Sequence, residues 1–223
     1  MSMHRLLHDY PAVERAGTRS YGGSQLWLSR EDLRKCGCGA VAMTDLALYL
    51  TRHHGVTGHA EANRDPIALE DYDRLCSSLQ QQYLTMIPPF GITGLTLAAG
   101  LNRWFRHRDV PLRASWGVRT CRLWQAVAQM LDQDLPVILA VGANFPFFWK
   151  KDRLIFYRRN AEGRYFPASG AKAHYVTVTA MDADWLKVSS WGKAYFIRKE
   201  EYLQYGRTRS LPLTNNLLWL EKQ

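Results

Sequence analysis

Cys38 stands between Gly37 and Gly39, and the apolar run from Ala40 to Leu50 follows it at once. A cysteine in that place opens a helix, where unpaired N–H groups and the helix dipole favour the thiolate. The flanking glycines let the backbone turn tightly and leave the sulfur open to a substrate. That is the setting of a nucleophile, and a thiol nucleophile needs a base, for which histidine is the usual residue. Seven histidines are available. His4 and His8 lie near a terminus expected to be loose, while His53, His54 and His59 lie around the far end of the cysteine helix. That helix would hold His53 roughly 22 Å from Cys38, too far to act. His107 falls in a basic helix end. His174 differs: it opens a strand in the second half of the chain, after a glycine-containing loop.

An imidazole that serves as base needs a third residue to orient it, here from the strand that returns beside His174. Asp182 is eight residues along the first strand, roughly 26 Å away, and Asp184 lies in the same turn. With that turn centred near Ala183, His174 faces the region Ser189 to Gly192. The register is open by one residue, so pairing alone does not choose a partner. Cys36 is read as a structural or redox-accessory thiol. It makes no metal pair with Cys38, because no further ligands follow at finger-like spacing. Cys76 and Cys121 stand apart, so the four cysteines form no disulfide framework.

These residues must be carried by a definite set of elements. Gln25 to Leu28 reads as a short strand or extended lead-in. A helix is expected over 39–53, apolar nearly all round and stopped by Gly55, which is the pattern of a buried central helix. A second helix is expected over 65–83 with Pro66 in its first turn, then a loop over 87–94 and a helix over 95–107. The second half changes character. A helix over 121–131 leads into an apolar strand over 135–141, residues 145–173 read as an irregular hairpin or flap, and strands follow over 174–180, 185–191 and 195–197.

Four stretches of this chain resemble those of a known family. Cys38-Gly39-Ala40-Val41-Ala42-Met43 resembles the start of the catalytic helix in the bacteriocin-leader-processing (double-glycine) branch of papain-like cysteine peptidases. Leu135-Pro136-Val137-Ile138 resembles their strand after a helix, and His174-Tyr175-Val176-Thr177-Val178 the strand that begins with the catalytic histidine. Ser189-Ser190-Trp191-Gly192 is similar to the Asn-Ser-Trp-Gly motif of papain. His174 follows Cys38 by 136 residues, inside the ~130–150 window of papain-type enzymes. Order and spacing together cover about residues 25–200.

The resemblance implies an α+β, papain-like fold in a single domain over 1–223. A mainly helical half of about 25–134 would pack against a mainly β half of about 135–205, with the cleft between them. It implies a cysteine peptidase or amidase that forms an acyl-thioester on Cys38, with His174 as general base and then acid, and no metal or organic cofactor. A transferase using the same intermediate is consistent with it. Ser189 stands where papain has the orienting asparagine, and a serine hydroxyl gives a shorter, weaker hold. The family's oxyanion-hole glutamine lies six residues before the cysteine, where this chain has Asp32, whose charge would repel an oxyanion. Gln25, the nearest upstream glutamine, would reach the site through a longer loop, with the Cys38 N–H as second donor. Trp191 matches the tryptophan that shields the triad in papain, although a tryptophan in such a place is more often core than catalytic.

Composition narrows the alternatives. A hydrophobic share of 47% with 22% charged residues is that of a globular protein. The net charge of +9 admits a nucleic-acid partner. However, the basic clusters at Arg103/Arg106/Arg108, Lys150/Lys151/Arg153, Arg158/Arg159 and Arg207/Arg209 are dispersed along the chain. No stretch has the apolar core of a signal peptide or the ~20 apolar residues of a spanning helix, so a cytoplasmic protein without a membrane partner is expected. The partner expected is a peptide or protein substrate, and a papain-like module that has lost its chemistry and only binds a peptide is the main alternative.

Overall fold

The computed structural model describes residues 3–57 and 64–223, so His59 lies outside the described residues. In chain order the first elements are β1 (His4–Arg5), β2 (Val13–Arg15), β3 (Thr18–Arg19), α1 (Glu31–Cys36) and α2 (Cys38–His53). They are followed by β4 (Ile67–Ala68), α3 (Leu69–Tyr83), α4 (Gly94–His107), β5 (Leu112–Trp116) and α5 (Leu123–Asp132). The remainder is β6 (Val137–Val141), β7 (Leu154–Arg159), β8 (Tyr165–Ala171), β9 (His174–Met181), β10 (Trp185–Ser190), β11 (Lys193–Arg198), α6 (Lys199–Thr208) and β12 (Leu218–Lys222). The architecture is mixed α+β, with a large antiparallel sheet. No described helix is long and apolar enough to cross a membrane.

Two elements organise the rest. The first is α2, of which the run Ala42–Leu50 is buried throughout. Its alanines and leucines favour helix and leave no polar stripe for solvent. Leu46, Leu48 and Leu50 are fully buried, each worth about 1.5–3 kcal/mol of transfer from water. The helix ends where the His54 N–H returns to the Leu50 carbonyl and Gly55 turns the chain at φ +69°. The second is β9, an interior strand of the seven-stranded sheet. One edge pairs with β10, and the other with β6 along its first residues and β1 at its end. Helix α2 packs across β9, which brings the start of the helix to the start of the strand.

Several expectations are revised by long-range contacts. Residues 25–27 form a 3-10 turn rather than a strand, because the Ser24 side chain caps the Leu26 N–H. Helix α1 falls in a stretch with too few apolar residues to show a period. The second helix begins at Leu69 rather than Asp65, since the Ile67 N–H bonds to the Ala12 carbonyl and β4 pairs with β2. Asp65 instead takes the Arg19 and Arg52 guanidinium groups. β5 and β12, which pair with each other from distant parts of the chain, and α6 were not legible. The flap expected over 145–173 contains the β7–β8 hairpin. His4 and His8 are held at 2.8 Å by Asp132 and 2.7 Å by Asp134, so this terminal segment is pinned rather than loose.

Candidate active site

Helices α1 and α2 meet at Gly37, which ends one and begins the other. A side chain there would put a Cβ 2.4 Å from the Leu33 carbonyl oxygen, so only glycine allows the two helices to join this closely. Its φ is −84°, so the requirement is for space and not for a left-handed backbone. The break makes Cys38 the first residue of α2, partly accessible, while Cys36 is buried in α1. Cys38 and His174 line one cleft, together with Gly23, Gln25, Ser190 and Trp191. The backbone N–H of Tyr175, next in chain to His174, acts on the Cys38 thiol to lower its pKa, as do those of Gly39 and Cys38.

The histidine is oriented by Ser190, not by Ser189. His174 Nε2 lies 2.8 Å from Ser190 Oγ, whereas the Ser189 hydroxyl donates to the Tyr21 carbonyl at 2.8 Å. The cause is a one-residue bulge. Near the turn, Lys187 faces Ala180, but beyond it Val188 faces Val178 and Ser189 faces Thr177. The shifted register puts Ser190 on the face of β10 that His174 shares and turns Ser189 to the opposite face. The His174 ring is also stacked on Trp191 at 4.6 Å between centroids and 16° between planes. Trp191 takes φ 48°, which swings its indole back over the strand it follows.

Burial dominates the electrostatics of both side chains. Burial pushes the Cys38 thiol above its ordinary value and outweighs the three N–H groups that pull it down. Burial also lowers the His174 imidazole to about 4. Burial thus biases both the thiol and the imidazole toward their neutral forms in the cleft they line.

Gln25 reaches the cleft although it precedes Cys38 by 13 residues. The six residues of α1 take up chain at ~1.5 Å per residue instead of ~3.3 Å, which shortens the path. Its Nε2 donates to the Arg34 carbonyl at 2.9 Å, and its Oε1 is buried with no hydrogen-bond partner. Asp32, six residues before the cysteine, is paired with Arg30 and does not line the cleft.

Asp45 was not singled out in the sequence, yet its carboxylate organises the loop that carries Gln25. It accepts from Tyr10 Oη at 3.1 Å, Tyr72 Oη at 2.9 Å and the Gly23 N–H at 3.1 Å. Burial lifts this carboxyl to about 6 even against those donors. Gly22, at φ +73°, leaves room for the network, since a Cβ there would meet Ser189 Oγ at 2.2 Å and Asp45 Oδ2 at 2.6 Å. An Asp in the third turn of an otherwise apolar helix was the available signal. Among the described residues, no group of three or more His, Cys, Asp or Glu is arranged to hold a metal ion.

No protein-family model and no curated protein matches this sequence. Among solved structures, the chain is similar to the active wild-type interpain A cysteine protease of Prevotella intermedia. The match has 14% identity, covers 99% of this chain and 74% of that one, and has a TM-score of 0.39.

Proposed function

We propose that this chain is a papain-like, thiol-dependent hydrolase that cleaves an amide bond in a peptide or protein. The observation that carries the reading is the meeting of Cys38 and His174 in one cleft, with the far ring nitrogen of His174 held by Ser190. With Nε2 engaged there, Nδ1 is the nitrogen left for the thiol. Cys38 Sγ attacks the carbonyl carbon as His174 takes the thiol proton, and the same proton passes to the leaving amine when the C–N bond breaks. Water then attacks the acyl-thioester, gives its proton to His174 and releases the acid as the thiol is restored. The Cys38 N–H and the Gln25 amide are the proposed oxyanion donors, with Gln25 first releasing a backbone carbonyl. Ser190 takes over the orienting role expected of Ser189.

The test compares alkylation of Cys38 with that of the exposed Cys121, by mass spectrometry, alongside a screen of fluorogenic peptides. Cys38 is expected to react faster than Cys121 and to lose that advantage in His174→Ala, with peptide turnover abolished in both Cys38→Ala and His174→Ala. Gln25 favours a second reading, a catalytically silent peptide-binding module, because its amide is tied to a backbone carbonyl. Cys38 labelling no faster than Cys121, with no turnover of any peptide, would select that module instead.

A further inference from the structure

Seven consecutive residues, Phe145 to Lys151, are exposed to solvent, and four of them are aromatic. Phe147, Phe148 and Trp149 leave 44%, 62% and 74% of their surfaces uncovered. A run of this kind is unfavourable in water and marks a surface that is covered in use. The rings lie against one another, Phe145 with Phe148 at 5.8 Å and Phe147 with Trp149 at 5.3 Å. The loop has a built base. The Phe145 N–H bonds to the Arg209 carbonyl at 3.0 Å, Asn144 Nδ2 bonds to the Asp152 carbonyl at 3.1 Å, and Lys172 Nζ holds the Phe148 and Lys150 carbonyls.

The charges around this tip share one sign. Lys150, Lys151 and Arg153 are exposed and follow the rings in sequence, and Lys150 Nζ lies 5.0 Å from the centre of the Phe147 ring. The acidic side chain in the segment, Asp152, is turned to Arg209 at 3.6 Å. Exposed aromatic rings followed directly by exposed cations match the chemistry of an anionic bilayer surface, apolar beneath and phosphate above. We propose that the 145–151 loop docks this protein on anionic lipid bilayers, with Phe147, Phe148 and Trp149 entering the headgroup layer and Lys150, Lys151 and Arg153 meeting lipid phosphates.

Expecting no membrane partner followed from the absence of a spanning run, and an interfacial loop needs none. Docking is independent of the cleavage reading, but the two are neighbours in space. The loop leaves β6 just after Val141, which pairs with His174, and the Ala173 N–H bonds to the Gly142 carbonyl. A docked protein would hold its cleft close to the bilayer.

The experiment is sedimentation of the full chain with vesicles of phosphatidylcholine alone and of phosphatidylcholine mixed with phosphatidylglycerol. Binding is expected on the mixed vesicles and to weaken with added salt. Phe148→Ser with Trp149→Ser should reduce it at least tenfold, and Lys150→Gln with Lys151→Gln about thirtyfold. Both variants should keep the wild-type melting temperature, because the altered side chains are exposed. No binding to mixed vesicles overturns the proposal. So does binding that depends on the lysines and is indifferent to the rings, which would be plain adsorption of a basic protein. Self-association in solution that the ring variant abolishes, without vesicle binding, would also overturn it and assign the loop to a second copy.

Discussion

Ser189 and Ser190 are adjacent and chemically identical, yet only one meets the imidazole. Their roles separate experimentally. Ser190→Ala removes the hydrogen bond to His174 Nε2, and its expected effect is about a tenfold slower alkylation of Cys38 at neutral pH, the scale of one hydrogen bond. Ser189→Ala should leave that rate unchanged and lower stability by about 1 kcal/mol, since it unties the Tyr21 carbonyl. Labelling rates and urea midpoints of the two variants check both statements, and equal rates would sink the assignment to Ser190. Cys38 at a helix start and His174 at a strand start were legible because their flanking residues are local features of the chain. Ser190 was not, because its face depends on a bulge in the pairing of two strands.

At the scale of elements, the cleft is assembled by a loop, residues 20–25, clamped between a helix and a strand turn. From α2, Asp45 holds the Gly23 N–H. From the other side, Ser189 holds the Tyr21 carbonyl, and the Gly192 N–H bonds to the Gly23 carbonyl at 2.9 Å. Asp45→Ala would leave two buried phenols and an amide without their acceptor, an expected loss of about 3–5 kcal/mol. Tyr72→Phe removes one donor and leaves Asp45 two others, so about 1 kcal/mol is expected. Urea unfolding measures both, and similar losses in the two variants would refute the central role of the carboxylate. The apolar run of α2, bounded by Gly39 and Gly55, made the helix plain in the sequence. Its single buried acid gave no hint of three partners drawn from residues 10, 23 and 72.

For the whole molecule, the buried titratable groups impose opposing pH dependences. His174 is held at about 4, below its ordinary 6.5, so the unfolded chain binds more protons there between those values. Its contribution is complete above 6.5 and is lost as pH falls toward 4. Asp45 is raised from 3.8 to about 6, so the folded chain binds more protons between those values, and stability is lost as pH rises through them. Over the shared window the two slopes oppose each other. His174→Gln removes one of them. On acidification from about pH 7 to about pH 4, the wild type should lose on the order of 2 kcal/mol more than the variant, after allowance for the ring's partial exposure. Urea titrations across that range test this, and parallel curves for the two proteins would contradict it.

From the sequence alone came the thiol at a helix start, the histidine at a strand start, and the order of a helix-rich first half before the main strands. Each is carried by spacing, periodicity or a flanking glycine, and these act within a few residues. The tertiary structure decided which serine holds the imidazole, because register is a property of two strands together. It also brought Gln25 into the cleft, through a short helix that no periodic pattern announces. Finally, it shifted the thiol upward and the imidazole downward in pKa, because both are buried by residues from distant parts of the chain, which no local stretch encodes.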